Sequence, residues 1–254
     1  MKNGCEMILK ELFERFFIIH KCGGCREILD HEDFSEALCP ECRLKWRVAK
    51  TESCPVCAQS AVECTCMPKT LAKTGALCLR KLNFYHAYRD KEPQNRLIYF
   101  LKKNPNKRMA DFVARELSVQ IREELSALGA DSEDAVVVNI PRGHRSRRIY
   151  GFDQSAFICK RLAELSGIEY TAAILRRRGG KEQKQLDRSK RMENTESRFT
   201  VGMPDGIKEK YVILFDDVVT TGASMSACAS ALRKAGAKGI ICLCMAQVPK
   251  NPPK

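Results

Sequence analysis

The sequence contains few aromatic residues and no long apolar run. Aromatic side chains make up 7% of its 254 residues, which is too few for an extended surface on which nucleic-acid bases stack. No stretch is long and apolar enough to span a bilayer, so we expect no membrane insertion. The motifs Gly-x-x-x-x-Gly-Lys-Ser/Thr and Gly-x-Gly-x-x-Gly are also absent. Their absence argues against a P-loop nucleotide hydrolase and against a dinucleotide-binding domain.

The first twenty residues lack the apolar core of a secretory signal peptide. Charged residues interrupt every apolar run in this segment, and Ile8, Leu12, Phe16 and Ile19 recur near one helical face. This pattern predicts an amphipathic helix over residues 1–19. Together with the cysteine usage described below, it leads us to expect a cytoplasmic protein.

Acidic residues are in deficit relative to basic ones. Lysine and arginine number 44 against 31 acidic residues, which gives a formal net charge of +13. This excess points to polyanionic partners such as nucleic acid or phosphorylated metabolites, with a generally basic surface as the alternative. Residues 142–191 contribute nine of the thirteen net positive charges. Within them, Arg145, Arg147 and Arg148 are candidates to bind pyrophosphate or a nucleic-acid backbone, with a solvated basic loop as the alternative.

Cysteine is the residue that the sequence has in excess. Eight of its 14 cysteines occur in pairs between residues 22 and 66. They are Cys22, Cys25, Cys39, Cys42, Cys54, Cys57, Cys64 and Cys66. A Cys-x-x-Cys turn presents two thiolates to one metal ion, and two such turns complete the tetrahedral site of structural zinc. Residues 20–68 therefore predict a zinc-ribbon-like module with one or two zinc ions, whose folding depends on the metal.

More than one arrangement of these cysteines fits the spacing. The ligands of each site can be sequential, or the sites can be interleaved so that the first pair joins the third. A secreted disulfide scaffold would follow a signal peptide, and a redox site would use a single Cys-x-x-Cys pair rather than a cluster. Because every candidate ligand is a cysteine, we expect structural sites without a bound water. Chelation is then expected to unfold this module and to spare the rest of the chain.

Beyond about residue 84, segments with strand and helix patterns alternate along the chain. Such alternation predicts an α/β domain over 84–248, with a mainly parallel sheet flanked by helices. A highly charged stretch at 176–195 predicts a long loop, and the tail 249–254 is expected to be disordered. The predicted strands are 135–140, 170–175, 211–215 and 239–246, and the predicted helices are 96–128 with a break at 104–106, 154–166 and 224–235.

Two adjacent carboxylates follow the apolar run at 212–215. Open α/β sheets bind ligands at the carboxyl ends of their strands, where Asp216 and Asp217 are expected. The next residues are small or hydroxylated and lead into a helix, a pattern suited to a phosphate dianion. Since two carboxylates would repel that phosphate, we expect them to accept hydrogen bonds from a sugar diol, with Mg²⁺ nearby. A Walker B strand and an ordinary acidic turn before a helix are the alternatives.

This segment resembles the motif with which type I phosphoribosyltransferases bind 5-phosphoribosyl-1-pyrophosphate (PRPP). The resemblance implies that fold, and it implies that Asp216 and Asp217 are catalytic-site residues that bind the ribose hydroxyls. It also implies that the following loop holds the 5-phosphate and that Mg²⁺ accompanies PRPP. The implied PRPP-binding residues are Asp216, Asp217, Val218, Thr220, Thr221, Gly222, Ala223 and Ser224.

Further segments resemble the ComF family. The run Tyr150, Gly151, Phe152, Asp153 and Gln154 is similar to that family's Arg-Gly-Phe-Asn-Gln element. The family's pattern of Gln, Leu, Arg, Asn and Phe is matched by Gln183, Leu186, Arg191, Asn194 and Phe199. Since a tetracysteine module ahead of the PRPP motif is that family's usual layout, the resemblance covers residues 22–246. Tyr150 and Asp153 depart from it, because they replace the usual Arg and Asn.

The ComF resemblance implies a cytosolic role in natural transformation and DNA uptake. It implies binding of PRPP and single-stranded DNA beside a helicase-like competence partner, with Tyr150 and Phe152 as candidates to stack on bases. The alternative is an enzyme that moves 5-phosphoribosyl from PRPP to an amine or nucleobase and releases pyrophosphate. In that enzyme the three arginines would clamp pyrophosphate, and residues 176–194 would form a lid. A module that binds PRPP without turnover is a third possibility.

Overall fold

A computed structural model describes residues 19–143, 148–176 and 199–249 of the chain. Several predictions lie outside these residues. They are residues 1–18 of the predicted N-terminal helix, the arginines at 145 and 147, the predicted loop from residue 177 onward with four of the ComF-like positions, and the predicted tail from residue 250. The Cys-rich segment, the sheet and the acidic pair all lie within them.

The described chain alternates between helices and strands after its Cys-rich segment. A 3₁₀ turn at His31–Asp33 lies within that segment. The helices are α1 (Pro40–Lys50), α2 (Lys69–Ala72), α3 (Pro93–Leu101), α4 (Lys107–Ala127), α5 (Gln154–Ser166) and α6 (Ala223–Lys234). The strands are β1 (Cys78–Phe84), β2 (Ala135–Asn139), β3 (Glu169–Thr171), β4 (Ile174–Arg176), β5 (Phe199–Val201), β6 (Tyr211–Val219) and β7 (Gly239–Gln247).

Five of these strands form one parallel sheet in the order β1-β7-β6-β2-β3. Every residue of β2 and of β7 is buried. This explains their nearly continuous apolar sequences, because the strands of such a sheet are covered on both faces. Strands β4 and β5 form a separate antiparallel pair. The predicted class, a parallel sheet flanked by helices and preceded by a Cys-rich segment, is confirmed.

Helices cover both faces of the sheet. One face carries α3, α4 and α5, and strand side chains such as Val137, Ile213 and Leu243 pack into this layer. The other face carries α6 and the β4–β5 pair, which pack on Val138 and Leu214. The connections between parallel strands must cross a face of the sheet, so this layering follows from the order of the elements.

Local sequence signals define where the helices begin and end. The side chain of Asn106 accepts a hydrogen bond from the Met109 amide at 3.0 Å at the start of α4. Asp153 caps α5 in the same way through the Ala156 amide at 3.2 Å. Such caps satisfy amide groups that have no partner inside the helix. At the end of α5, Gly167 adopts the left-handed conformation, as its position predicted.

Three boundaries differ from the sequence-based prediction. The sheet begins at β1, so the domain start at residue 84 was too late. The prediction missed β1 because Arg80, Lys81 and Asn83 interrupt its apolar pattern. The single strand predicted over 170–175 is wrong, since it is divided between β3 and β4. Strand β6 continues past residue 215, and therefore the acidic pair lies within the strand rather than after it.

The Cys-rich segment shares its core with the α/β domain. Cys22, Cys42 and Trp46 belong to the same buried cluster as the helices on that face of the sheet. The ring of Trp46 packs edge-on against Phe112 at 5.2 Å, and its indole nitrogen donates to Glu116 at 3.2 Å. The segment is therefore built into the domain, which bears on the expectation that it would unfold separately.

The helices of the described ranges are too short or too polar to cross a lipid bilayer.

Candidate functional site

The carboxyl ends of the parallel strands bring the polar residues of the sequence motif to one edge of the sheet. Asp216, Asp217 and Val218 occupy the last part of β6. Asn139 ends the neighbouring strand β2 and accepts a hydrogen bond from the Tyr170 hydroxyl at 2.8 Å. Ligands of open α/β sheets bind at such an edge.

The two carboxylates of β6 are held by neighbouring backbone amides. Asp216 accepts a hydrogen bond from the Asp217 amide at 2.9 Å, and Asp217 accepts one from the Val218 amide at 2.7 Å. Although the Asp216 side chain keeps some solvent contact, its desolvation raises the pKa of this carboxyl well above its usual range. The adjacent Asp217 charge adds to the increase, and Lys102 opposes it. The folded protein therefore disfavours the ionised form of Asp216 unless a ligand compensates its charge.

Lys102 is a residue of the site that the sequence analysis missed. It caps the C-terminal end of α3, and its ammonium group lies 3.3 Å from a carboxylate oxygen of Asp217. The basic pair Lys102 and Lys103 after a helical pattern was the only available signal. Nothing in the sequence showed that the end of α3 meets β6, because the two segments are more than a hundred residues apart.

The loop after β6 is exposed and leads directly into α6. Thr220, Thr221 and Ser224 are exposed to solvent, and Gly222 occupies the N-cap position of the helix with φ 77°. Glycine suits this turn for two reasons. It adopts a positive φ without strain, and a Cβ atom there would lie 2.8 Å from Pro68. The amide groups of the first turn of α6 are oriented toward the loop, as an anion-binding site requires.

The basic loop after β2 is tied to the end of α3. Arg142 donates from its guanidinium to the Lys102 carbonyl at 2.9 Å, and its backbone amide donates to Asp153 at 2.9 Å. The same guanidinium lies over the ring of Tyr150 at 5.3 Å. Asp153, which replaces the ComF-like Asn, thus caps a helix and anchors this loop. Arg148 is exposed, and its two companion arginines lie outside the described residues.

An aromatic and basic strip runs from the end of α3 to this loop. Tyr99 is 62% exposed, and the Lys103 ammonium lies over its ring at 4.1 Å and hydrogen-bonds its hydroxyl. That hydrogen bond raises the pKa of Lys103, and the nearby Tyr150 contributes to the increase. We refer to Tyr99, Lys103, Arg142 and Tyr150 as the aromatic–basic strip. Tyr150 and Phe152, predicted as stacking candidates, are both partly buried.

Two buried amide side chains near the same edge have unused hydrogen-bonding groups. Asn83 of β1 has no partner for either side-chain polar atom among the described residues, and Gln247 of β7 has none for its side-chain oxygen. The two strands pair so that Asn83 lies opposite Ala246, one residue before Gln247. Such groups are normally satisfied by water or a ligand. Sequence reasoning did not identify them, because isolated amides in strands carry no motif.

The eight paired cysteines form two separate clusters, which resolves the pairing that the sequence left open. The first cluster is Cys22, Cys25, Cys39 and Cys42, and the second is Cys54, Cys57, Cys64 and Cys66. In each, the four sulfur atoms lie within 4.8 Å of one another. The sequential arrangement is therefore the one present, and the interleaved alternative is wrong.

Both clusters fit a structural zinc ion. Four thiols in a compact group are the ligand set that zinc favours, with no position left for water. Backbone amides also donate toward the sulfurs, from Gly24 and Cys39 to Cys22 at 3.3 and 3.2 Å, and from Val56 to Cys54 at 3.4 Å. These donors stabilise thiolate charge. Zinc bound there would crosslink the two cysteine pairs of each cluster.

Comparison with known proteins finds partial similarity. No protein-family model matches the chain. Over 155 residues the chain is 27% identical to the DNA utilization protein YhgH of Escherichia coli strain K12, and the match covers 60% of this chain and 67% of that protein. The protein of the same name from Salmonella typhimurium is 28% identical over the same length. The chain is thus similar in part to proteins named for DNA utilization.

Solved structures show a weaker likeness. The structure of an allosteric regulatory enzyme of purine biosynthesis matches with 19% identity and a TM-score of 0.37, over 57% of this chain and 25% of that one. A hypoxanthine phosphoribosyltransferase from Staphylococcus aureus matches with 13% identity and a TM-score of 0.33, over 56% of this chain and 73% of that one. At these TM-scores, the likenesses carry no argument about the function of this chain.

Proposed function

We propose that this chain is a ComF-like cytosolic protein of DNA uptake that binds PRPP and single-stranded DNA. The observation that carries the proposal is the arrangement at the end of β6. There, the acidic pair is followed by a turn at Gly222 into α6 that exposes Thr220, Thr221 and Ser224, and Lys102 faces the second carboxylate at 3.3 Å. A sugar diol and a phosphate need these two kinds of group side by side.

In this proposal each part of PRPP has its own residues. Asp216 and Asp217 bind the ribose hydroxyls, and residues 220–224 with the first turn of α6 hold the 5-phosphate. Lys102 leaves Asp217 to contact the pyrophosphate, assisted by the basic loop after β2. Mg²⁺ bound together with PRPP would neutralise part of the pyrophosphate charge. The raised pKa of Asp216 supports this assignment, because such groups concentrate at functional sites.

Single-stranded DNA would follow the aromatic–basic strip. Exposed aromatic rings beside cations combine stacking with backbone neutralisation, which is how sequence-tolerant proteins bind single strands. Arg142 links the strip to Lys102 through the carbonyl of that residue. Binding of DNA and of PRPP would therefore affect one another. The similarity to proteins named for DNA utilization supports this part of the proposal, and a helicase-like partner would act on the same strand.

Titration of a labelled oligonucleotide tests the proposal. The intact chain is titrated into single-stranded DNA at two salt concentrations, with and without Mg²⁺-PRPP. We expect affinity that falls with salt, because phosphate contacts release counterions, and that changes when PRPP is present. The absence of DNA binding under all conditions would overturn the DNA part of the proposal.

Phosphoribosyl transfer is the second candidate function. The observation that favours it is that Asp216 and Asp217 keep some solvent contact, so that an acceptor would reach the C1 carbon of a ribose bound there from solvent. Release of pyrophosphate from PRPP in the presence of amine or nucleobase acceptors would establish a transferase. PRPP binding without any release would instead support a module that binds without turnover.

A further inference from the structure

The second cysteine cluster lies against the free edge of the sheet. Strand β1 is the edge strand, and only β7 pairs with it in the sheet. Phe84 at its end packs with Cys54 and Cys64 in a small apolar cluster. The Gln120 side chain of α4 donates to the Lys81 carbonyl at 2.9 Å and to the Val62 carbonyl at 3.2 Å. The cluster is thereby joined to β1 and to α4.

Lys81 connects this cluster to the sheet through a fully buried ammonium group. Its side chain has no exposed surface, and the nitrogen lies 2.6 Å from the Cys64 carbonyl, 3.4 Å from the Cys66 carbonyl and 3.3 Å from the Cys64 sulfur. An ammonium group has three N–H donors, so these three acceptors satisfy all of them. Burial of a cation requires a compensating negative charge. A zinc ion held by four thiolates carries that charge.

The chain that leaves the second cluster packs directly on the phosphate loop. Pro68 contacts Gly222 so closely that a Cβ atom at residue 222 would lie 2.8 Å from the proline ring. The Thr70 hydroxyl donates to the Thr221 carbonyl at 3.4 Å. The short helix α2 then packs on α6. Only one residue separates Cys66 from Pro68, so the position of the cluster fixes where this segment lies.

We propose that the second cluster, with its metal, positions the phosphate loop 220–224, and that Lys81 is the positioning residue that couples the two. This inference rests on the proposed function, because it assigns PRPP phosphate as the ligand of the loop. Lys81 holds Cys64 and Cys66 of the cluster through its hydrogen bonds, and the residues that follow hold the loop through Pro68 and Thr70. Without the metal, the loop would lose this support and its preorganised shape.

The first cluster provides a matched comparison within the same molecule. It has the same four-thiol composition, but it packs on α3 and α4 rather than on the phosphate loop. Gly23 closely approaches Leu97 of α3, and the Cys25 carbonyl accepts a hydrogen bond from Arg96 at 3.4 Å. Loss of its metal would therefore disturb a different part of the domain.

Hydrogen exchange measured by mass spectrometry tests the coupling in the absence of any ligand. Cys57 is exposed, so Cys57→Ser removes a ligand of the second cluster without emptying the core. Cys25→Ser is the control in the first cluster. We expect each variant to bind one zinc ion fewer than the wild type. Amide exchange at 220–226 is expected to be faster by about tenfold or more in Cys57→Ser alone. Mutation of residues that support metal sites changes metal affinity or activity by a similar factor.

Lys81→Met provides a second variant that keeps every metal ligand and the length of the side chain. We expect weaker binding of one of the two zinc ions, by about tenfold or more in competition with a chelator, and faster exchange at both 64–70 and 220–226. Unchanged exchange at 220–226 in both Cys57→Ser and Lys81→Met would overturn the inference. An equal acceleration at 220–226 in Cys25→Ser, beyond that of the core strand β7 in the same variant, would overturn it as well. Global unfolding of Cys57→Ser would leave Lys81→Met to decide.

A titration of Mg²⁺-PRPP separates this inference from the proposed function. If the wild type binds no PRPP but the exchange results are as expected, the ligand assignment fails and the coupling stands. If the wild type binds PRPP and exchange at 220–226 is the same in all variants, the coupling fails and the ligand assignment stands. If both hold, Cys57→Ser is expected to weaken PRPP binding by about tenfold.

Discussion

The two cysteine clusters have the same ligands but support opposite sides of one candidate site. The first packs on α3, where Gly24 approaches Pro93 and the Arg26 guanidinium lies over Phe100 at 3.9 Å. Helix α3 ends at Lys102, which faces the acidic pair. The second is joined to β1 through Lys81 and to the phosphate loop through Pro68. Two groups of four thiols therefore support two different parts of the structure in one chain.

The difference shows why the Cys-rich segment is not a separate unit. Arg108 of α4 donates to the Phe34 and Lys21 carbonyls, both at 2.9 Å, and Lys50 of α1 pairs with Glu116 of α4 at 2.6 Å. These contacts bury the first cluster in the main core. A segment without enough apolar residues of its own is thereby stabilised by its neighbours, and zinc bound at the two clusters would stabilise it further.

The largest expected effect comes from breaking the first cluster. Cys22 is fully buried within the main core, so Cys22→Ser removes a metal ligand and leaves a polar group there. We expect the free energy of unfolding of the whole domain to fall by about 4 kcal/mol or more. The melting temperature, measured by calorimetry, should fall by about 10 °C.

Cys57→Ser is the matched control for this prediction, because its ligand is exposed. We expect a smaller loss of stability from it. A first-cluster variant in which residues 20–50 unfold while the α/β domain melts at its normal temperature would contradict the shared core. That outcome would restore the expectation of independent unfolding made from the sequence.

A smaller effect is expected on the α3 side of the site. Tyr99→Ala removes an exposed ring of the aromatic–basic strip and should leave stability unchanged. Since stacking of one base contributes about 1–3 kcal/mol, we expect single-stranded DNA to bind about tenfold more weakly in fluorescence anisotropy. Tyr88→Ala is the control, because Tyr88 is equally exposed and, like Tyr99, has a basic side chain over its ring. Equal losses in both variants would show that the strip has no special role.

The smallest expected effect concerns the stability of the unliganded site. The pKa of Asp216 is raised in the folded state, so folding favours the protonated carboxyl. The contribution of this group to the free energy of unfolding is fully present below the ordinary carboxyl pKa. It is lost as the pH rises through the pKa of the folded state. Asp216→Asn cannot ionise. We therefore expect this variant to be more stable than the wild type at neutral pH, by about 2–4 °C in melting temperature if the gain is about 1 kcal/mol.

This difference should shrink as the pH is lowered toward the ordinary carboxyl range, where Asp216 is protonated in both the folded and unfolded states. Melting curves recorded between acidic and neutral pH in the absence of PRPP measure it. A variant that is less stable than the wild type at every pH would mean that the charge of Asp216 is already compensated without a ligand.

Local patterns in the sequence were sufficient to predict some features correctly. The helix break at 104–106, the strand that leads into the acidic pair, and the glycine turn into α6 all follow from short-range signals. Such signals reflect capping, periodicity and backbone freedom, which act within a few residues. The alternation of elements then predicted the parallel sheet.

Contacts between distant segments could not be predicted in the same way. Lys102 reaches the acidic pair because of how α3 packs. Lys81 can be buried in a strand because Cys64 and Cys66 supply hydrogen-bond acceptors for its ammonium group. A lysine in an apolar pattern normally argues against a buried strand. Here tertiary structure reverses that rule, which is why β1 was missed. The pairing of the cysteines also required the fold, since spacing allowed two arrangements.

The central claim is that the edge of the sheet at β6 binds PRPP, and isothermal titration calorimetry tests it most directly. Mg²⁺-PRPP is titrated into the wild type, into the double variant Asp216→Asn with Asp217→Asn, and into the control variant Asp205→Asn. Asp205 is an exposed acidic residue outside the site. We predict binding to the wild type and to Asp205→Asn, and affinity reduced by about 100-fold or more in the folded double variant. Equal affinity of all three proteins, or no binding to the wild type, would contradict the claim.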